Sequence, residues 1–533
     1  MKKILSIILT LIISLNLAAC QSARAATNNK ATENSDSDYE TALFGSDILK
    51  IDITADEQEW ESLIENAASK PTISADVSID GEIYEDVAVK TKGNTSLKQV
   101  VSSDSDRYSL KLNFGKNVEG QTCHGLDKLA LNNIYSDSTY LKEYMSYMLF
   151  QYMDVPSSLC SFAEITVNGE YYGFYLAIED VDDSFLERNF GADFSGEAYK
   201  PESMSMDGDM ESPGKDGGDR KFEADGNTKE EDKSSKKSDM GGEHGGGMDG
   251  GAKGVSLVYS DDEFDSYSNI FDNEITKATD DDKKRLIASL KAISEGENLK
   301  EYINVDEVLR YAAVNVFIVN LDSYFSSMGH NYCLVEDSGQ LSMIPWDYNL
   351  AFGTHQISSA TDAVNYAIDT VFYNVDGEER PIISKLLENE EYNQLYHQYL
   401  QELCDYMSSG QFEEKVDSIY TSIQSYVEND TTSFDGYEAF VSGVTALKEF
   451  VQLRTQSVLG QLDGTIPATQ DEQKESDSLV NCGNLDLKDL GSMGNERGDR
   501  GADMGGNPQG GNPPNGDMPQ MQRSQKDISD TKG

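Results

Sequence analysis

The sequence predicts an α+β protein with a β-rich N-terminal lobe and a mainly helical C-terminal lobe. Three observations carry this. Apolar and polar residues alternate from Asp47 to about Asn113; an Asn168-Gly169 dipeptide splits AEITV from EYYGFYLAI; and helical spacing dominates after Glu179.

Taken in order, ILKIDIT opens as a strand, Ala55–Ala67 reads as a helix, and ADVSID and IYEDVAV pair as a hairpin turned at Asp80-Gly81. Leu141–Tyr152 has the apolar spacing of a helix, with Asp137 and Ser138 as its expected caps. AEITV and EYYGFYLAI then make a second hairpin. Beyond them, helices are expected near 283–294, 305–320, 380–407 and 411–459.

Residues 321–353 are the most informative stretch. Asp322 follows the apolar helical run VLRYAAVNVFIVN, and Asp347 ends the strand-like LSMIPW. NYCLV and LSMIPW read as a hairpin turned by Glu336-Asp337-Ser338-Gly339, which brings both carboxylates to one end of a sheet. Phosphoryl transfer needs such a pair: one carboxylate to orient the attacking hydroxyl, and another, with an amide oxygen, to hold a divalent cation on the phosphates.

The run of Asn320, Asp322, Ser323, Tyr324, His330, Asn331, Tyr332, Ile344, Pro345, Trp346, Asp347 and Asn349 resembles the CotH kinase family of atypical protein kinases. Family-like blocks precede it in order: VAVKTKGNTSL, YSLKLNF, LALNNIYSDSTYLKEYMSYMLF and EITVNGEYYGFYLAIEDVDDSFL. The resemblance covers residues 47–460, broken by one insertion. It implies a bilobal, atypical protein-kinase-like fold, ATP with Mg²⁺ or Mn²⁺ as cofactors, and transfer of the γ-phosphoryl to Ser or Thr of a protein substrate. By the same resemblance Asp322 is the catalytic aspartate, Asp347 the metal-binding aspartate, and Asn331 a second metal ligand. Asn331 lies nine residues after Asp322, whereas conventional kinases place this amide at five, where Ser327 stands here. His330 reads as a local hydrogen-bond partner, and Asn349 as either a metal-shell oxygen or a cap.

Cations for the phosphates are sought among the lysines. Lys92 ends a strand against Gly93-Asn94-Thr95-Ser96, and Lys90 shares its face. Lys111 falls where a kinase β3 lysine would, with Glu143 as its expected ion-pair partner. Glu179 and Asp180 stand at the expected interlobe hinge, where an adenine would meet the backbone. There is no P-loop, H-E-x-x-H or G-x-S-x-G motif, no strand-to-helix G-x-G-x-x-G (its one literal match, Gly245–Gly250, lies in the low-complexity insertion), and the five histidines are scattered.

Composition adds the setting. With 43 basic against 95 acidic residues, the net charge of −52 disfavours nucleic acid and anionic membrane surfaces as partners and favours basic, Ser-rich ones. Residues 1–20 read as an export signal: Lys2-Lys3, an apolar run, then Leu17-Ala18-Ala19-Cys20. That ending looks like a lipoprotein box, so Cys20 is the expected lipidation site and 21–45 a polar tether; the chain is then lipid-anchored on the extracytoplasmic face of the cell membrane. Cys123, Cys160, Cys333, Cys404 and Cys482 follow no disulfide or zinc spacing and read as buried thiols. The kinase-like domain is expected over 46–464, interrupted at 203–253 by a Gly/Met/Asp/Lys-rich insertion; that insertion and the tail 465–533 are too poor in apolar residues to order themselves. A rival reading keeps the kinase-like fold without turnover, as a cell-surface binding or adhesion protein.

Overall fold

A computed structural model describes residues 39–45, 48–202 and 253–493. The expected signal, Cys20 and the expected insertion up to residue 252 lie outside the described residues.

Seven strands follow from the predicted alternation: β1 Ile48–Ala55, β2 Thr72–Ile79, β3 Glu82–Thr91, β4 Leu110–Asn113, β5 Lys128–Asn132, β6 Cys160–Val167 and β7 Glu170–Glu179. Residues of one parity, among them Leu49, Ile51, Ile53, Val87, Val89, Leu110, Leu112, Leu129 and Leu131, fill a common interior. Both hairpin turns form as read, with Asp80, Gly81, Asn168 and Gly169 all at positive φ, the twist that matches flanking strands. The division into a β-rich N-terminal and a helical C-terminal part holds. What the kinase-like strand order did not imply is closure. β1 pairs in parallel with β6, Ile48 opposite Phe162, and the strands close into a barrel ordered β1-β2-β3-β4-β5-β7-β6.

The expected helix at 55–67 is Glu57–Glu65, with Asp56 accepting from Gln58 N and Glu59 N. The helix Lys142–Tyr152 starts where predicted, and Asp137 Oδ2 accepts from Lys142 N at 2.9 Å; Ser138 instead donates to Asp435. In the C-terminal part, Asp280–Glu295 begins with a Thr279–Asp282 capping box, and Val305–Phe317 runs to the candidate site. Two expected helices are broken. Asn389 caps a new start at Glu390, dividing Pro381–Leu387 from Glu390–Ser408. Asp430 divides Gln411–Asn429 from Tyr437–Leu462 because its carboxylate leaves to meet Arg107, at 2.5 Å. Arg107 is buried and also donates to Asn133 O, Thr432 Oγ1 and Phe174 O, so this one guanidinium ties the barrel to the helical part.

Two boundaries move. Part of the supposed tether is a helix, Tyr39–Phe44, that buries Tyr39 and Leu43 against the barrel. The supposed tail is packed as far as 493: Ile466, Val480, Cys482, Leu485, Leu487 and Leu490 are buried in the main core. Gly443 shows how closely this segment docks, since a Cβ there would lie 2.8 Å from Asp489 O. Low average hydropathy concealed a few well-spaced anchors. Among the described residues no helix is long and apolar enough to cross a membrane.

Candidate functional site

The hairpin forms as β8 Tyr332–Asp337 and β9 Gln340–Pro345, and its register, Tyr332 opposite Pro345, puts Asn331 and Trp346 side by side at the open end. Trp346 N donates to Asn331 O at 3.3 Å. Both Asn331 and Asp347 adopt positive φ, which turns the chain sharply out of the sheet. Asp322 arrives from the loop after the helix Val305–Phe317. Asn331 Nδ2 joins the two acids, donating to Asp322 Oδ2 at 2.9 Å, Asp322 O at 2.8 Å and Asp347 O at 3.4 Å. The predicted convergence of Asp322, Asn331 and Asp347 is therefore present.

Asp322 sits between two histidines. His330 Nε2 lies 2.6 Å from its Oδ1, and His355 Nε2 3.7 Å from the same oxygen. Burial pushes the Asp322 carboxyl up, but His330, His355 and Asn331 outweigh it and hold it below the ordinary carboxylate range. His330 shifts the opposite way: burial lowers it, and the bond to Asp322 raises it above the usual imidazole range.

A second chain of contacts enters from the barrel. Lys92 Nζ donates to Asn132 Oδ1, Asn132 Nδ2 to Glu143 Oε2 at 2.7 Å, and Tyr147 Oη to Glu143 Oε1 at 3.0 Å; Asp347 N donates in turn to Tyr147 Oη at 3.1 Å. The barrel and the hairpin are thus connected through one helix. Burial, then the negative charge of Asp347, raises Glu143 above the ordinary carboxylate range, against the opposing pull of Lys92. Burial lowers Lys92, though Asp347 and Glu143 oppose the shift. Lys92 and Lys200 both lie over the Trp346 ring, at 5.6 and 4.9 Å from its centroid.

The expected Lys111–Glu143 pair is not formed. Lys111 is ion-paired with Asp180, and Lys92 is the lysine that reaches Glu143, through Asn132. The Glu179 side chain is engaged inside the protein. It is fully buried, paired with Arg188 at 2.5 Å and bonded to Tyr39 Oη and Leu159 N. Its parity on β7, opposite Leu129, sends it inward, and Asp180 is the residue that faces the lysines. Asn349 Nδ2 donates to Tyr135 O, so this amide braces a loop. Asn132, Tyr147 and His355 escaped sequence reading; only Tyr147, four residues after Glu143 on one helical face, left a local signal.

Among the described residues no three acidic, histidine or cysteine side chains form a self-sufficient metal cage. The fit to a hard divalent ion is of another kind. Asn331 turns its nitrogen to Asp322 and leaves its amide oxygen available, while Asp347 has its carboxylate outside the site's hydrogen bonds. One carboxylate, one amide oxygen and the ligand's own phosphates suit Mg²⁺, which dehydrates reluctantly and seldom takes an all-protein cage.

Comparison with known proteins bears on this arrangement. Residues 89–458 match the family described as CotH kinase protein, which is more than half of the 533 residues. The chain belongs to the CotH kinase family. It is 22% identical over 364 residues to the inner spore coat protein H of Bacillus subtilis (strain 168), covering 66% of this chain and 82% of that one. The family match spans Lys92, Glu143, Asp322, Asn331 and Asp347 alike. Within this CotH family chain, the barrel lysine and the hairpin acids therefore fall in one matched unit.

Proposed function

We propose that the chain is a phosphotransferase that uses ATP and Mg²⁺ or Mn²⁺ to phosphorylate Ser or Thr of proteins. The observation that carries this reading is Asn331, whose single amide ties Asp322 to the backbone of Asp347 while Lys92 approaches from the barrel. Asp322, held ionised, orients the acceptor hydroxyl and takes its proton on a carboxylate oxygen. Lys92 supplies positive charge to the phosphates, and Glu143 with Asn132 fixes its direction. Asp347 and the Asn331 amide oxygen would hold the divalent ion, which when bound neutralises phosphate charge. Trp346, flanked by Lys92 and Lys200, walls the same space.

Asp347→Ala is the direct test. The side chain supplies ligand charge and little packing, so thermal stability should stay near wild type while Mn²⁺-dependent ATP affinity, measured by calorimetry, falls about 100-fold. Affinity equal to wild type and indifferent to EDTA would remove Asp347 from the site.

We also propose that Cys20 is lipidated and holds the protein at the extracytoplasmic face of the membrane, on the strength of the Leu17–Cys20 sequence. Cys20→Ser should abolish incorporation of labelled palmitate and shift the protein out of the detergent phase. Unchanged partitioning would reject the anchor.

A further inference from the structure

We propose that a row of lysines on the outer face of β2–β4 docks an acidic segment of the protein acceptor, an inference that rests on the phosphotransferase reading. Lys90 of β3 is the register partner of Lys111 of β4, and on its other side it faces Thr72 of β2. Paired positions on neighbouring antiparallel strands stand side by side, so two ammonium groups there repel. Lys116 lengthens the row, its Nζ 3.4 Å from Thr72 Oγ1, and Lys70 adds a fourth cation, donating to Asn94 Oδ1 at 2.7 Å.

The charge on Lys90 is poorly compensated. Apart from burial, the strongest influences on Lys90 are the ammonium groups of Lys111, Lys116 and Lys70, and then the carboxylate of Asp180. Asp180 is already ion-paired with Lys111. Burial and this repulsion together pull Lys90 below the ordinary lysine range. A fold that places Lys90 opposite Lys111 with one carboxylate, Asp180, for the two ammonium groups stores repulsion that a bound anion relieves.

The net charge of −52 makes the row selective. Charges more than about 8–10 Å apart are screened in physiological salt. An acidic segment is thus repelled by most of the surface and attracted only where cations are in local excess. Lys92 follows Lys90 by two residues on the same face and reaches Asn132 in the candidate site, so the row begins at that site and runs outward. It is placed for carboxylates that flank the acceptor hydroxyl. The overall charge suggested basic partners; the local row favours the opposite sign.

The test uses the full chain and the double variant Lys90→Glu/Lys116→Glu, with Ser peptides flanked by Glu or by Lys. Transfer from labelled ATP with Mn²⁺ gives KM and kcat, calorimetry gives nucleotide affinity, and anisotropy of the labelled Glu peptide at low and high salt gives binding directly. The wild type should show a KM for the Glu peptide about tenfold below that for the Lys peptide. The double variant should raise the Glu-peptide KM about tenfold with kcat and nucleotide affinity unchanged, the scale of two screened charge contacts reversed. Preference for the Lys peptide, or a Glu-peptide KM that ignores the reversal, overturns the proposal. So does a matching loss of nucleotide affinity, which would assign the row to the phosphates. If neither peptide is phosphorylated, anisotropy decides: salt-sensitive binding lost on reversal upholds docking while the transfer reading fails, and no binding overturns docking as well.

Discussion

Asp322→Asn should leave ATP binding intact and lower phosphate transfer to protein by roughly 10²-fold or more, the usual scale for loss of a positioned base. The change is nearly isosteric. Asn331 Nδ2 still finds the Asp322 backbone oxygen at 2.8 Å, so the loop keeps its position. What disappears is the charge that His330 and His355 hold on this side chain. The sign of the pH effect follows: because the Asp322 carboxyl lies below the ordinary range, wild-type transfer should persist as pH falls through that range, and the residual transfer of the variant should lack any such acid limb. Phosphopeptide mapping separates the readings. Transfer by wild type that fails in the variant supports the enzyme, equal transfer rejects Asp322 as the base, and no transfer by either form favours a surface-binding protein.

The second large effect concerns stability. Arg454 is fully buried in the helix Tyr437–Leu462, and it donates to Val316 O, Phe317 O, Val364 O and Tyr366 O at 2.6–3.1 Å. Two of these carbonyls belong to the last turn of the helix Val305–Phe317, whose C-terminal end attracts a cation; Val316 O also accepts from Val319 N at 3.3 Å. Burial brings the Arg454 guanidinium down to about 10, so it stays charged at neutral pH. Arg454→Met keeps most of the volume but strands Phe317 O and Val364 O, while Val316 O keeps Val319 N and Tyr366 O keeps Gln461 Nε2. At about 1–3 kcal/mol for each unsatisfied buried group, the two stranded carbonyls give an expected loss of about 4 kcal/mol. Thermal unfolding followed by circular dichroism should show a drop of Tm of about 5 °C for a folded unit of this size; an unchanged Tm would mean that the carbonyls find other donors. The Val316 and Phe317 carbonyls closely precede Asp322 in the chain, so this arginine also fixes the approach to the candidate site.

The parts of the site that were legible in the sequence are those set by short-range rules. Asp322, Asn331 and Asp347 lie within one helix-loop-hairpin run, and a two-residue turn at Ser338-Gly339 sets their meeting. Errors arise where register between distant strands decides. Thr91, Leu110 and Leu131 form one row across β3, β4 and β5, which places Lys92 next to Asn132 and leaves Lys111 one row away, beside Ala130. No local pattern in KTKG or LKLNF distinguishes those rows. Glu179 and Asp180 differ by one residue, and parity alone sends the first into the barrel end and the second to the lysines. The packed stretch 465–493 was hidden for another reason: a few spaced anchors such as Leu487 and Leu490 suffice when a long helix already offers a surface.

Barrel closure by β1 and β6 also sets a timetable. The pairing of Ile48 with Phe162 joins residues more than a hundred positions apart, and Leu49 through Ile53 continue the same ladder. The loop between them must be ordered before that pairing contributes anything, which makes this a slow, high-contact-order step. During synthesis β1 emerges early and waits, its edge unpaired, until β6 and β7 have followed. The barrel therefore stays open, and the chain extensible, until its last strands β6 and β7 have emerged.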